Sequence, residues 1–379
     1  MDSGLGKDLR HRVPYIDFTR GVAMILMAWD HVSGFWNPGH RGGEGLMGGR
    51  PIFPDFTQFV LRFITHICAP TFIFLAGAAL ALSASRRLAG GGSHLDISLR
   101  MVKRGAVLIL LAIFVESPAF GLPPLYFGVL SCIGVCLIIF SLLHRLPRNF
   151  ILALSVLIIL AHPYLDISWI PGEDPWGFYL RVVIHEPSMD RSPFVGLYPI
   201  IPWIGVMGLG WCYGGLVSEG RLEERRLMLL LASAGAGLLI IWLLVRALNG
   251  YGNLLPRMGS SLQDWLYMAK YPPSLAFLLW TLGWMFLILS LGLHLQRRGS
   301  IDRGISGFIL SFGRVPLFFY CTHLWLYRLR PGWTPVRPFT LSLPATAAFW
   351  LLGLLVLWRL CLRYERLKVR YPGSILQYL

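Results

Sequence analysis

Residues 20–31 read RGVAMILMAWDH: Arg20 opens the stretch, Asp30 and His31 close it, and everything between is apolar or glycine. On a helix turning about 100° per residue, Arg20 and His31 return to within about 20° of each other after three turns. They are then separated by about 16 Å along the axis. Asp17, Met24 and Met27 fall close to the same stripe, and Asp17 can pair with Arg20 at i,i+3. A lone Arg near a helix end reads as a side chain snorkelling to the interface. A stripe of paired charge plus imidazole instead points to a polar cavity, because ionisable groups inside a bilayer cost a few kcal/mol and face the bundle interior. This one stretch therefore predicts both a membrane span and a wet site within the bundle.

The rest of the chain agrees. Its 379 residues are 55% hydrophobic, 13% aromatic and only 14% charged, with a mean hydropathy of +0.60, too apolar for a soluble domain of this length. Apolar segments of helix-spanning rather than barrel-strand length recur throughout. They fall at about 13–36, 57–85, 101–119, 122–143, 149–167, 197–217, 227–247, 271–294, 305–328 and 341–362. The expected fold is an all-α polytopic bundle of about ten spans. Basic clusters such as Lys7/Arg10/Arg12, Arg86/Arg87, Arg225/Arg226, Arg297/Arg298 and Arg363/Arg366/Lys368 fall on alternate connections, which places both termini in the cytoplasm. The net charge of +15 then reads as topology, and nothing supplies a groove-reading basic face for nucleic acid. The domains expected are a cytoplasmic segment at 1–12, a transmembrane domain at 13–362 and a cytoplasmic tail at 363–379. The first apolar segment lacks a small-residue cleavage site and reads as a retained span.

All six cysteines fall inside predicted helices, which argues against a disulfide framework, and Cys132 with Cys136 makes a poor metal site. The Gly-rich LAGGGSHLDIS at 88–98 reads as a flexible inner loop. Three longer outer segments, 37–56, 168–196 and 248–270, either form an external vestibule or are solvated loops with interfacial aromatic anchors. Prolines at 70, 199, 202, 272, 273 and 316 predict kinks or broken helices.

Other spans repeat the polar pattern: Arg62 and His66, His162 and Asp166, Tyr198 and Trp203, Lys270, then Arg314, Tyr320 and His323. Sorted by depth, the histidines and Asp30 gather in the outer half, and Arg20, Arg104 and Arg314 in the inner half. Guanidinium groups at the cytoplasmic mouth suit phosphate oxygens. Imidazoles further out suit proton removal near neutral pH. An enzyme taking a phosphorylated cytosolic donor and modifying an outer-face acceptor needs this arrangement; a transporter or flippase for a small polar or acylated molecule could use it too.

The Arg, ten residues, His spacing of the first span resembles the signature of the acyltransferase-3 superfamily. The wider set YIDFTRGVAMILMAWDHV, FITHICAPTFIFLAGAALALS, YPIIPWIGVMGLGW, RALNGYG, KYPPSLAFLLWTLG and FGRVPLFFYCTHLWLY resembles, in order, the bacterial relatives of heparan-alpha-glucosaminide N-acetyltransferase. The resemblance covers residues 15 to about 327 and implies a multi-pass enzyme of the bacterial inner (plasma) membrane. Such an enzyme moves acetyl, or another acyl group, from cytosolic acyl-CoA to an amine or hydroxyl, often of a sugar, on the other side. It implies acetyl-CoA or another acyl-CoA as donor and no metal. Expected partners are bilayer lipid and a small-molecule or glycan acceptor, and homo-oligomerisation is left open.

On that reading His31 is the base or acyl-accepting nucleophile, with His66 and His323 as the next choices; Asp30, about 100° away around the helix, is either its orienting or proton-accepting partner or a residue that caps or pairs elsewhere. Arg20, Asp17, Arg104 and Arg314 would hold the donor, while Tyr198, Trp203, Lys270, Tyr320 and His162 would meet the acceptor. In the lysosomal members the position matching His31 holds Asn, and the active His belongs to the first luminal loop. Here that loop contains only His40, in NPGHRGG, a context expected to hold an imidazole loosely. The choice between His31 and His40 stays open at this point.

Overall fold

The computed structural model describes residues 13–189, 193–328 and 340–371, with 374 and 376. The expected segment 1–12, Asp190, Arg191 and most of the tail beyond 371 lie outside the described residues.

Helix α1 spans Pro14–Trp36. Pro14 suits the first helical position, where its missing N–H would have no partner. Helix α2, Phe56–Phe63, is capped by Asp55, whose side chain accepts from the Gln58 N–H at 2.9 Å. It runs through a tight turn at Ile64–Ile67 into α3, Cys68–Ala89. Helix α4, His94–Leu111, opens with a reciprocal Ser93/Asp96 capping box. Residues 94–98 are therefore helical, not loop as expected, and the glycines provide only the turn before the cap. After α4 the chain widens into a π turn at Ala112–Glu116 and closes with α5, Ser117–Phe120.

There follow α6 (Val129–Leu143), α7 (Arg148–Ala161), α8 (Pro175–Ile184), α9 (Ile200–Ser218), α10 (Glu224–Leu248) and the short α11 (Leu262–Leu266). The chain ends with α12 (Leu275–Arg297), α13 (Gly304–Gly313), α14 (Pro316–Arg328) and α15 (Leu343–Arg370). No strand occurs among the described residues. All six cysteines are free.

Each apolar segment read from the sequence coincides with a helix or a joined pair. Among the described residues, five helices are long and apolar enough to cross a membrane: Phe56–Ala89, α9, α10, α12 and α15; the α13–α14 pair makes six if it is one broken span. Helix α1 is not among them. It carries Asp17, Arg20, Asp30 and His31 and sits at the centre, packed on α3, α12, α13, α14 and α15. Its buried face holds Phe18, Met24, Met27, Ala28 and Val32. Helices α10 and α15 turn most of their apolar side chains outward, as lipid-facing helices do.

In the ninth apolar segment, 305–328, the kink or break expected at Pro316 is a full break: α13 and α14 meet at 92°. Pro316 has no N–H to give to the α13 ladder and biases Val315 away from helix. Tertiary packing sets the angle. A side chain at Gly313 would run into the Asp17 carbonyl, so only glycine lets the break seat against α1.

Arg246, at the end of α10, is fully buried. It donates to the carbonyls of Leu255, Asp264, Trp265 and Tyr267 and to Asn253 Oδ1. This guanidinium fastens the 249–267 connection, which delivers Lys270.

Candidate active site

The two ends of α1 carry different chemistry. At the His31 end, α2 brings Arg62 between two carboxylates. Arg62 Nη1 donates to Asp30 Oδ1 and Oδ2 at 2.8 and 2.7 Å, while Nε and Nη2 fork onto Glu44 at 2.7 and 2.9 Å. Thr65 Oγ1 donates to Asp30 at 2.9 Å, and His66 Nε2 lies 3.2 Å from Glu44 Oε1. Burial pushes the Glu44 carboxyl up, but Arg62 and then His66 overcome that and hold it well below the usual carboxylate range.

Lys270 is buried beside this network. Its main-chain N–H donates to the Glu44 carbonyl at 2.9 Å, and its ammonium lies 5.2 Å from the Tyr271 ring centroid with no ion pair among the described residues. Two carboxylates thus face two cations, a balance that limits the cost of burying them. Glu44, absent from the sequence reading, is central to this cluster; its Gly-rich loop gives no periodic signal.

The group hydrogen-bonded to His31 is not Asp30, as expected, but His323 on α14: His31 Nδ1 and His323 Nε2 are 2.8 Å apart. Asp30 points a third of a turn away around α1, toward Arg62. His323 Nδ1 lies 2.9 Å from the Phe319 carbonyl oxygen, which can only accept. That bond puts the hydrogen of a neutral His323 on Nδ1 and leaves Nε2 as an acceptor. His31 Nδ1 must then carry a hydrogen, which leaves His31 Nε2 with a free lone pair and no partner among the described residues. Phe120 and Tyr320 stand edge-on to the His31 ring at 5.1 and 6.5 Å.

Tyr320 donates to Glu116 Oε1 at 2.6 Å, and Glu116 Oε2 is buried with no hydrogen-bond partner of good geometry among the described residues. Glu116 also escaped the sequence reading: one acid in FVESPAF has no companion at helical spacing.

His40 is not loosely held. Its Nδ1 lies 3.3 Å from Ser33 Oγ, and its main-chain N–H donates to the Asn37 carbonyl at 3.2 Å. Burial lowers its imidazole to about 4, with Asp30 opposing and Arg62 reinforcing that shift. Tyr198 packs on Trp203 and, edge-on, on Tyr271, with both centroid separations 5.7 Å. His162 pairs with His185 at 3.3 Å rather than joining His31, and Asp166 caps Ser168. A cavity of about 970 Å³ lies at this end, lined by Gly45, Met47, Glu173, Arg181, Glu186 and Tyr271 among others. Gly45 and Tyr271 directly adjoin Glu44 and Lys270 in sequence, so the cavity wall is continuous with the buried charge cluster.

At the other end of α1, Arg20 Nη1 donates to Asp17 Oδ1 at 2.7 Å and to the Gly313 carbonyl at 3.0 Å. The expected i,i+3 pair is present, and Nε and Nη2 make no hydrogen bond among the described residues. The Gly313 tie brings Arg314 to the same end; it lies 3.7 Å from Glu365. Arg104 is exposed and within electrostatic reach of Arg20.

The family profile for the catalytic region of heparan-alpha-glucosaminide N-acetyltransferase matches residues 12–246. The mouse (Mus musculus) protein of that name is 26% identical over 142 residues, covering 35% of this chain and 19% of the mouse protein. Residues 12–246 contain Asp30, His31, Glu44, Arg62 and Glu116, whereas Lys270, Tyr320 and His323 come from the part of the chain beyond. An all-helical chain with apolar helices of membrane-crossing length, carrying this profile over most of its sequence, is an integral membrane protein, and it belongs to the heparan-alpha-glucosaminide N-acetyltransferase catalytic family of membrane acetyltransferases.

Proposed function

We propose that this protein transfers an acetyl or other acyl group from acyl-CoA, bound at the Arg20 end of α1, to an amine or hydroxyl acceptor reaching the His31 end. The observation that carries this reading is the His31–His323 pair, in which His31 Nε2 is left free by a hydrogen-bond chain running back to the Phe319 carbonyl. The free nitrogen takes the proton of the acceptor N–H or O–H as that atom attacks the thioester carbonyl. The carbon–sulfur bond breaks, its electron pair leaves with sulfur, and the proton passes from His31 to the thiolate. His323 does for His31 what a carboxylate does in other base pairs: it fixes the tautomer and steadies the imidazolium.

The uncommitted nitrogens of Arg20, with Arg314 and Arg104, supply a fork for the donor's phosphates. A thioester separated from its phosphates by a long pantetheine arm suits two sites on one helix face. Lys270, Tyr198 and Trp203 lie behind Tyr271 in the wall of the adjoining cavity, whose volume falls within the range that holds small ligands. A sugar fits that volume. The protein would work in a bacterial inner membrane, with the Arg20 end toward the cytosol. The 92° break between α13 and α14 also favours a second reading, a transporter with a discontinuous helix at its site; that reading requires substrate movement in sealed vesicles without any acyl donor.

The test is acyl-CoA titrated against the detergent-solubilised protein, with Arg20→Ala as control. Saturable binding that weakens about tenfold or more in the variant is expected, on the scale of one charge-assisted hydrogen bond. Absence of saturable binding to the native protein would turn the assignment toward transport.

A further inference from the structure

Glu116 is 1% exposed, and no Lys, Arg or His forms an ion pair with it among the described residues. Its Oε1 takes the Tyr320 hydroxyl; its Oε2, and the Oγ of neighbouring Ser117, have no hydrogen-bond partner of good geometry among the described residues. The carboxyl group closes the π turn at Ala112–Glu116, a widened helical turn of the kind found at functional sites. It lies against Gly128, where any side chain would collide with both carboxyl oxygens. The chain has thus cleared space for a buried acid that has no ion-pair partner among the described residues and that faces the main-chain N–H groups of Val129 and Leu130 at the start of α6.

The other side of this contact is the catalytic pair. Tyr320 stands edge-on to His31 at 6.5 Å and to His323 at 5.6 Å, so its ring forms a wall for both imidazoles. Its orientation is held from the hydroxyl end by Glu116. We infer that Glu116 is a positioning residue for acyl transfer, acting through Tyr320 on the His31–His323 pair, with two working states set by its own proton. This rests on the acyltransferase reading above.

In the charged state Glu116 accepts the Tyr320 hydrogen and locks the hydroxyl. In the neutral state the carboxylic acid donates to the Tyr320 oxygen, and the Tyr320 hydrogen is free to turn toward the reacting groups. One proton on Glu116 thereby switches Tyr320 from a held donor to an available one. The titratable groups facing Glu116 are Tyr320 and Cys321 from α14, Cys132 from α6 and Tyr126 from the connection before it. The nearest guanidinium on the same segment, Arg328, donates to the Pro118 carbonyl.

The experiment has two arms, on Glu116→Gln, Tyr320→Phe and the double variant, with Glu116→Asp as the conservative control. In the first, infrared spectra are recorded against pH on protein with neither donor nor acceptor. The carbonyl stretch of a protonated, water-excluded carboxyl group should be present in the native protein, absent in Glu116→Gln and displaced in Tyr320→Phe. In the second, kcat is followed against pH. Glu116→Gln should lose one ionisation from the profile and between about 10- and 100-fold in kcat, with KM for the donor unchanged. Glu116→Asp should recover part of the loss, and the double variant should be no worse than the poorer single. A native pH profile in Glu116→Gln, additive losses in the double variant, or a missing carbonyl band overturns the proposal. If the native protein transfers no acyl group at all, the acyltransferase reading fails, while the infrared arm still reports whether Glu116 carries the proton.

Discussion

The two ends of α1 solve the same problem, charge inside a helical bundle, in opposite ways. At the His31 end the charges are balanced and committed to one another: buried Arg62 is shared by Asp30 and buried Glu44, and buried Lys270 makes up the count. At the Arg20 end the guanidinium spends one nitrogen on Asp17 and on the Gly313 carbonyl, and its other two nitrogens make no hydrogen bond among the described residues. A closed network fixes geometry, and an open fork is available to a ligand. The first suits orientation of reacting groups; the second suits capture of a phosphate-bearing molecule.

The contrast is broken most severely at Arg62. Arg62→Leu strands two buried carboxylates and should cost about 3–5 kcal/mol, read as a fall in Tm of the detergent-solubilised protein. Arg20→Ala should cost only about 1 kcal/mol, because the α1 N-terminus also stabilises Asp17 in its first turn. Equal losses at the two ends would erase the distinction.

Next in size is His323→Phe, which keeps an aromatic ring and removes the acceptor for His31 Nδ1. Transfer should fall about 10- to 100-fold through kcat, with donor KM unchanged. A change confined to KM would place His323 in binding instead of orientation.

A further effect is one of pH. His40 titrates at about 4 when folded against 6.5 unfolded, so the unfolded chain binds more protons between those values. Its contribution is full above 6.5 and lost as pH falls to about 4. The Glu44 contribution is full above about 4.5 and lost only as pH falls well below that. Tm should therefore begin to drop between pH 6.5 and 4.5 in the native protein, and His40→Asn should make that drop shallower while leaving the fall below pH 4.5 unchanged.

Much of this was readable from the chain because α1 is local. The Asp17–Arg20 pair, the shared face of Arg20 and His31 and the apolar segments follow from helical spacing. The partners of those residues were not readable. His31 meets His323 across 292 residues, and Tyr320 meets Glu116 across 204. Asp30 looked like the partner of His31 by adjacency, yet successive helical residues point about 100° apart, and the real partner arrives on α14. Pro316 was visible as a breaker, but the 92° turn it permits depends on Gly313 seating against Asp17. Glu44 and His40 lie in a Gly-rich loop whose sequence carries no period, and only its return onto α1 and α2 shows what they do.

The central claim is that an acyl group enters at the Arg20 end and is transferred at the His31 end. Its most direct measurement uses sealed proteoliposomes with labelled acetyl-CoA enclosed and an amino-sugar acceptor outside, comparing native protein with His31→Ala. The account predicts labelled acceptor outside the native vesicles and a loss of about 10²- to 10⁴-fold in the variant, with both proteins equally folded. Undiminished transfer by His31→Ala, or acceptor crossing the membrane unmodified, would contradict it.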